Sequence, residues 1–247
     1  MSEDPSPRLT RGELFPLSAR HACFIHGGGG GAWEWNIWAR VFAARDWRVA
    51  TPELQPSPHG LAATRLHDYI AQSRARIETL PSPRIVVGAS LGGLLALANA
   101  PLADALVLIN PLPSRPWCAD LPRFIIYADI VPWSATASLA GTRRALFDAD
   151  EATCLYAFRR WRDESATVLR EAHDGISLPS PTCPVLMIVS GQDDDIPEAV
   201  SLAFAEALNA SVLRLPEASH VGPLLGRRAA RTASEAVDWL NGIQKGG

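Results

Sequence analysis

The sequence predicts an α/β protein whose mostly parallel sheet, of about six strands, is flanked by helices and interrupted after its fourth strand by a helical cap. Three observations indicate this fold class. Continuous apolar runs such as 85–87 and 105–109 alternate with helical stretches, as strands buried on both faces require. The alternation stops after position 111 and resumes at 185. A serine flanked by glycines stands where one apolar run turns into a helix.

The elements follow in order from hydrophobic periodicity and from glycine and proline breaks. The predicted strands are 21–25, 48–51, one from Arg84 to the turn at Gly88, 105–109, 185–190 and 211–215. The predicted helices are 32–45, 64–80, 94–98, 197–209 and 228–243. Between positions 111 and 184 no buried strand is expected, and helices are predicted over 121–130, 138–147 and 151–161.

These elements predict one core with one inserted unit. Residues 1–19 are polar and contain prolines, and they are interpreted as an N-terminal arm. The core comprises 20–111 and 181–247, and the helical cap, or lid, comprises 112–180.

Composition argues against several classes of partner. A net charge of −3 disfavours nucleic acid and an anionic membrane surface. The four cysteines lack metal-site spacing, so neither a metal nor a cofactor is expected. The sequence has no apolar leader and no run of about 18 apolar residues. We therefore expect a cytoplasmic protein, a monomer or homodimer, that acts on a small molecule.

The strongest motif for chemistry is Gly88-Ala89-Ser90-Leu91-Gly92. A strand precedes it and a helix follows, which is the setting of a nucleophile elbow. Such a turn exposes the serine hydroxyl above the sheet edge, and the small glycines let strand and helix approach. Ser90 is therefore the predicted nucleophile.

A serine hydroxyl needs a base to take its proton, and the base needs a third group to orient it. In this topology the chain order is serine, acid, histidine, each on a loop after a strand. His220 is the histidine with that order and position. The acid lies in the run Asp193-Asp194-Asp195, where Asp193 and Asp194 are the alternatives.

The five glycines at 27–31 follow the first strand and His26. A nucleotide site is disfavoured, because no Lys-Ser/Thr follows and no acidic residue ends the next strand. The better interpretation is an oxyanion hole made of the backbone amides of Gly28 and Leu91, with His26 in a structural role.

With these residues in view, the chain resembles the α/β-hydrolase superfamily from His21 to Leu240. The motifs that carry the resemblance are His26-Gly27, the pentapeptide around Ser90, the acidic residue after the strand ending at Ser190, and His220. The stretch 24–35 is similar, more narrowly, to the branch of plant methylesterases, hydroxynitrile lyases and small bacterial esterases. The resemblance implies a six-stranded sheet, and the acid loop of that branch favours Asp193.

The predicted function is a cofactor-free serine hydrolase that cleaves a carboxylic ester or thioester. Trp33, Trp133 and Trp161 predict an apolar or aromatic acyl pocket, although tryptophans in a cap also serve as its core. A lyase, a cyclase or an acyltransferase using the same residues remains an alternative, and a non-catalytic binder is a further one. The arginines at 159, 160 and 162 suit either a coenzyme A or phosphopantetheine thioester or a solvated helix face.

Overall fold

The computed structural model of the protein describes residues 20–123 and 128–243, so the arm predicted over 1–19 lies outside the described residues. Six parallel strands form one sheet in this part of the chain. They are β1 (Arg20–Ile25), β2 (Trp47–Ala50), β3 (Arg84–Ala89), β4 (Ala105–Ile109), β7 (Val185–Ser190) and β8 (Ser211–Leu215). The predicted parallel sheet is confirmed.

The order of the strands creates one special position at the sheet edge. The order is β2-β1-β3-β4-β7-β8, so the chain leaves β1 towards β2 and then returns across β1 to β3. Open parallel sheets bind ligands at such a reversal, outside the carboxyl ends of the strands. Ile25 pairs with Gly88 there, so the glycine run and Ser90 emerge side by side.

Helices cover both faces of the sheet. The α-helices are α1 (Asn36–Ala43), α2 (Leu66–Glu78), α3 (Leu91–Ala98), α4 (Trp133–Thr136), α5 (Leu139–Ala145), α6 (Glu151–Phe158), α7 (Ala166–His173), α8 (Glu198–Ala207), α9 (Gly222–Leu225) and α10 (Ala229–Ile243). Short 3-10 turns are Ala32–Trp35, Leu61–Ala63, Ala100–Leu102 and Trp117–Asp120. Phe24 and Val87 pack on the face with α1 and α10, while Ile25 and Val86 pack on the face with α2, α3 and α8.

The inner strands β1, β3, β4 and β7 are buried almost throughout, which explains their continuous apolar runs, whereas the edge strands β2 and β8 have exposed residues. Within residues 20–123 and 128–243, no helix has the length and apolar character needed to cross a bilayer.

The segment between β4 and β7, residues 110–184, is called the insertion below. It contains α4 to α7 and a two-residue antiparallel ribbon of β5 (Ile130–Val131) and β6 (Glu164–Ser165). The helix predicted over 121–130 is wrong in its described parts, because 121–123 are not helical and Ile130 lies in β5. Its centre, 124–127, lies outside the described residues.

Two prolines explain why neither end of the helix predicted over 121–130 is helical. Pro122 and Pro132 disfavour helical backbone at the residues before them, which include Val131 of β5. A strand of two residues has no detectable period, so the ribbon could not be predicted from the apolar pattern. The separate helical cap over 112–180 stays a prediction.

Candidate active site

Ser90 occupies a strained turn between β3 and α3. Its backbone has φ 52° and ψ −120°, in the left-handed region that non-glycine residues rarely adopt. The Ser90 N–H donates to the carbonyl of Ile109 at 3.0 Å, which ties the turn to the end of β4. A Cβ added at Gly92 would overlap the carbonyl oxygen of Ile25, so glycine is required where α3 passes β1. The side chain of Ser90 is half-buried at the sheet edge.

The acidic loop after β7 brings Asp193 and His220 together. Nδ1 of His220 lies 2.7 Å from Oδ2 of Asp193, a contact in which the ring N–H donates to the carboxylate. The other oxygen, Oδ1, accepts the N–H groups of Asp195 and Ile196, each at 2.9 Å. Asp193 is buried, whereas Asp194 is exposed. Three donors therefore fix the Asp193 carboxylate.

The surroundings of His220 alter its affinity for a proton. Burial lowers the pKa of the ring, but the charge and hydrogen bond of Asp193, with the charges of Asp195 and Glu34, raise it to about 9. The imidazolium is therefore stabilised relative to an ordinary histidine. The Asp193 carboxylate keeps the ring oriented and compensates the positive charge that a base acquires.

Asn110, which follows β4, joins three elements of the site and was missed from sequence. Its Nδ2 donates to the carbonyl of His220 at 2.6 Å and to Oγ of Ser190 at 2.9 Å. Its Oδ1 accepts the Ser190 N–H at 2.9 Å. The Ser90 N–H bonds to Ile109, and the His220 carbonyl bonds to Asn110, so the end of β4 holds both residues. A buried polar residue directly after an apolar strand was the available signal.

Asp148 of the insertion supports the histidine loop and was also missed. Its carboxylate accepts the hydroxyl of Ser219 at 2.7 Å and the N–H of Ser219 at 3.2 Å. Ser219 directly precedes His220, so the insertion helps to hold the ring. Within the described ranges no hydrogen bond joins Ser90 Oγ to His220; such bonds commonly tighten when substrate binds.

The glycine loop, residues 27–31, lies beside the serine. A Cβ added at Gly27 would come within 3.4 Å of the Ser90 Cβ. Gly28 is half-buried, while the glycines next to it are buried. Among the residues that the structure describes, neither the Gly28 N–H nor the Leu91 N–H has an intramolecular acceptor. Two free amides beside a nucleophile are what binding a tetrahedral oxyanion requires.

His26 connects this loop to the segment that follows β2. Its Nδ1 donates to the Gly27 carbonyl at 2.8 Å, and its Nε2 accepts the Leu54 N–H at 3.0 Å. Complete burial lowers the pKa of the ring to about 4, against smaller opposing effects of Gly27 and Glu53, with Arg162 lowering it further. The ring is neutral and both nitrogens are used within the fold.

Glu34 is a buried carboxyl of the site that sequence reasoning missed, although it is an acidic residue among tryptophans. Its Oε2 accepts the Gly27 N–H at 3.2 Å. Burial raises its pKa to about 8, against the lowering effects of the Gly27 amide, His220 and Arg162, while Glu53 raises it further. Near neutral pH, Glu34 is therefore largely uncharged.

The three tryptophans of the predicted acyl pocket occupy two places. Trp33 and Trp161 contact each other edge to face, with ring centroids 5.4 Å apart. Trp133 packs against Gly29 of the glycine loop. A cavity of about 500 Å³ beside Cys118 and one of about 180 Å³ beside Asp148 are not lined by these tryptophans. Their role in substrate binding stays a prediction.

Within the described ranges, potential metal ligands come together around Asp193 and His220. Ligand atoms of Asp193, Asp195 and His220 lie within 4.8 Å of one another. Both oxygens of Asp193 already accept hydrogen bonds, which favours an orienting carboxylate over a metal ligand.

Comparisons with known proteins give the same picture of the fold. A family model described as "Alpha/beta hydrolase family" matches residues 24–235. A search of the curated proteins finds no significant match to the sequence.

Several solved structures resemble the chain along nearly its whole length. A pyrethroid hydrolase from Sphingobium faniae JZ-2 is 19% identical, with a TM-score of 0.71 over 90% of this chain and 97% of its own. Tomato methylketone synthase I, complexed with 2-tridecanone, is 15% identical, with a TM-score of 0.70 over 91% and 99%. Polyneuridine aldehyde esterase is 16% identical, with a TM-score of 0.67 over 89% and 100%. At these identities the likeness concerns the fold.

Proposed function

Since the chain belongs to the alpha/beta hydrolase family, we propose that it is a serine hydrolase that cleaves a carboxylic ester or thioester through an acyl-enzyme. The observation that carries the proposal is the 2.7 Å contact between His220 and a buried Asp193, held at the strand end to which Ser90 is also bonded. The strained turn at Ser90 and the two free amides beside it support the same chemistry.

In the proposed mechanism, His220 Nε2 takes the hydroxyl proton of Ser90 while Oγ attacks the acyl carbon. The carbonyl oxygen becomes negative and accepts hydrogen bonds from the amides of Gly28 and Leu91. His220 then gives its proton to the leaving alkoxide or thiolate, and the acyl-enzyme remains. Water, deprotonated by His220, attacks the acyl carbon, and collapse returns the proton to Ser90. Asp193 keeps the ring oriented throughout.

The test is the intact mass of the protein after brief mixing with a panel of p-nitrophenyl esters and acyl thioesters. The proposal expects a mass increase of one acyl group, located on Ser90 by peptide analysis, together with release of the free acid. A lyase working by acid–base chemistry alone would turn over without any acyl adduct. An acyltransferase would form the adduct but pass the acyl group to an acceptor other than water.

The pKa of His220 predicts the pH dependence of the reaction. A base must be neutral to accept a proton, and a folded-state pKa of about 9 keeps His220 protonated at lower pH. We expect kcat/KM for a p-nitrophenyl ester to rise about tenfold per pH unit below that pKa and to level off above it. An inflection at the ordinary histidine value of 6.5 would contradict this charge environment.

Glu34 provides a matched variant for the same measurement. Because the pKa of Glu34 is about 8, this carboxyl is ionised at the higher pH where His220 titrates. Glu34→Gln removes that negative charge, which raises the pKa of His220, so the inflection should move to lower pH. Glu217→Gln, on the exposed part of the histidine loop, is the control and should leave the inflection in place.

The tryptophans predict a change in substrate preference. We expect Trp133→Ala and Trp161→Ala to change the ratio of kcat/KM for short and bulky aromatic p-nitrophenyl esters by about tenfold or more, because pocket volume discriminates by size. Trp239→Ala on α10 is the control for general destabilisation and should leave the ratio unchanged. A constant ratio in all variants would show that Trp133 and Trp161 serve packing alone.

A further inference from the structure

Hydrogen bonds from side chains and backbone hold several peptide groups of the glycine loop, but not the Gly28 N–H, the group expected to bind the oxyanion. The Gly27 N–H donates to Glu34 at 3.2 Å, and the Gly29 N–H donates to Oε2 of Glu164 at 3.1 Å. The carbonyl of Gly29 accepts the backbone N–H of Arg162 at 2.8 Å. Between these fixed groups, the Gly28 N–H remains available for an external acceptor.

Glu164 is itself rigidly held. It lies in β6 and is 3% exposed. Its second carboxylate oxygen, Oε1, accepts the Tyr69 hydroxyl and the Ser165 N–H, each at 2.9 Å. The carboxylate therefore bridges three donors from α2, β6 and the glycine loop. With both oxygens engaged, the side chain cannot turn away from Gly29 without leaving buried donors unpaired.

Arg162 adds a second attachment from the same strand region. Its Nε donates to the Gly30 carbonyl at 2.7 Å, and its guanidinium pairs with Glu53. This arginine is therefore engaged by the glycine loop and by Glu53, with part of its side chain exposed.

Packing from the insertion closes the loop on its other side. Gly29 has φ +66°, and a Cβ there would overlap the ring of Trp133. A Cβ added at Gly28 would lie 3.0 Å from Cδ2 of Leu169. Residues of the insertion therefore surround Gly28 and Gly29 by hydrogen bonds and by contact. The shape of this loop depends on the insertion as well as on the core.

We propose that Glu164 is a positioning residue of the oxyanion hole, which fixes the Gly29 peptide so that the Gly28 N–H is aimed at the reacting carbonyl before substrate arrives. The inference rests on the proposed serine hydrolase function, which generates the oxyanion. Donors that are already oriented stabilise developing charge without reorganising during the reaction. A side chain that orients such a donor acts on the transition state more than on substrate binding, so its loss appears in kcat rather than in KM.

The test compares three variants with a matched control, using p-nitrophenyl butyrate as the probe. Glu164→Ala removes the acceptor, and Glu164→Asp keeps the charge but shortens its reach. Glu164→Gln keeps the length of the side chain but replaces one of its two acceptor oxygens with an NH₂ donor. Glu171→Ala is the control, since Glu171 also lies in the insertion and accepts a backbone N–H, that of Leu66 at 2.9 Å, away from the glycine loop.

We expect Glu164→Ala and Glu164→Asp to lower kcat by about 10- to 100-fold, less than removal of an oxyanion donor itself, with KM nearly unchanged. Glu164→Gln should show a similar loss, because its amide oxygen would take the side of Tyr69 and Ser165 and its NH₂ would face the Gly29 N–H. The affinity for a trifluoromethyl ketone, whose adduct with a serine places a negative oxygen in the hole, should fall by the same factor as kcat/KM. If Glu164→Ala fails to fold, Glu164→Asp and Glu164→Gln decide the question.

Equal kcat and equal ketone affinity in wild type and the Glu164 variants, or losses matched by Glu171→Ala, would overturn the inference while leaving the proposed function standing. If the wild-type protein forms no acyl adduct, the proposed function fails and this inference fails with it. The two failures are therefore told apart by the wild-type acylation measurement alone.

Discussion

Ser90→Ala is expected to lower turnover by a factor on the order of 10⁴ or more while the protein folds normally. The substitution removes Oγ, the atom proposed to attack the acyl carbon, and keeps the Cβ. The strained backbone at φ 52° is no worse for alanine than for serine, and the bond from the Ser90 N–H to Ile109 remains. Thermal unfolding and circular dichroism should therefore match the wild type. Activity towards p-nitrophenyl esters is the measurement.

A fluorophosphonate probe gives a second measurement that needs no knowledge of the natural substrate. The wild-type protein should gain one probe mass, located on Ser90, because the probe reacts with an activated serine. Ser211→Ala, at an exposed position of β8, is the control and should be labelled as the wild type is. Labelling that persists in Ser90→Ala would move the nucleophile elsewhere.

The parts of the fold that sequence predicts are those in which neighbours along the chain decide the structure. The inner strands β3, β4 and β7 are buried on both faces, so their apolar runs are continuous and easily recognised. The turn at Ser90 is similarly local, because Gly88 and Gly92 permit the close approach of β3, α3 and β1. The order along the chain predicted Ser90 and His220 and left Asp193 and Asp194 as alternatives for the acid, and the structure places Asp193 against His220.

The residues that sequence did not identify act across long separations. Asn110 binds the carbonyl of His220, 110 positions later, and Glu164 binds the N–H of Gly29, 135 positions earlier. Asn110 stands out as a polar residue directly after an apolar strand, but its partner does not, and Glu164 has no local signal. Each contact depends on how the insertion and the strand ends meet in space. The ribbon of Ile130–Val131 with Glu164–Ser165 is of the same kind. Its short strands are stabilised by pairing and not by an apolar period.

Asp193→Asn is expected to reduce turnover by about 10⁴-fold, by analogy with triads in which the acid was replaced by its amide. The geometry gives the reason. Oδ1 of Asp193 accepts two backbone N–H groups, so the amide oxygen of an asparagine would take that side and its NH₂ would face His220. A ring facing a donor must place its own proton on Nε2, and a protonated Nε2 cannot accept the proton of Ser90.

Asp194→Asn is the matched variant, one residue away in the same loop, and it should keep turnover within about tenfold, or roughly 1.4 kcal/mol in the barrier. Asp194 is exposed and lies outside the hydrogen bonds that orient His220, so its charge acts on the ring through solvent. Activity and the nitrogen-15 shifts of His220 should be measured together, since the shifts report which ring nitrogen carries the proton. A loss confined to Asp194→Asn would transfer the orienting role to that residue. An asparagine at position 193 cannot hold the proton on Nδ1 of His220. Full activity in both variants would therefore show that turnover does not depend on an orienting carboxylate.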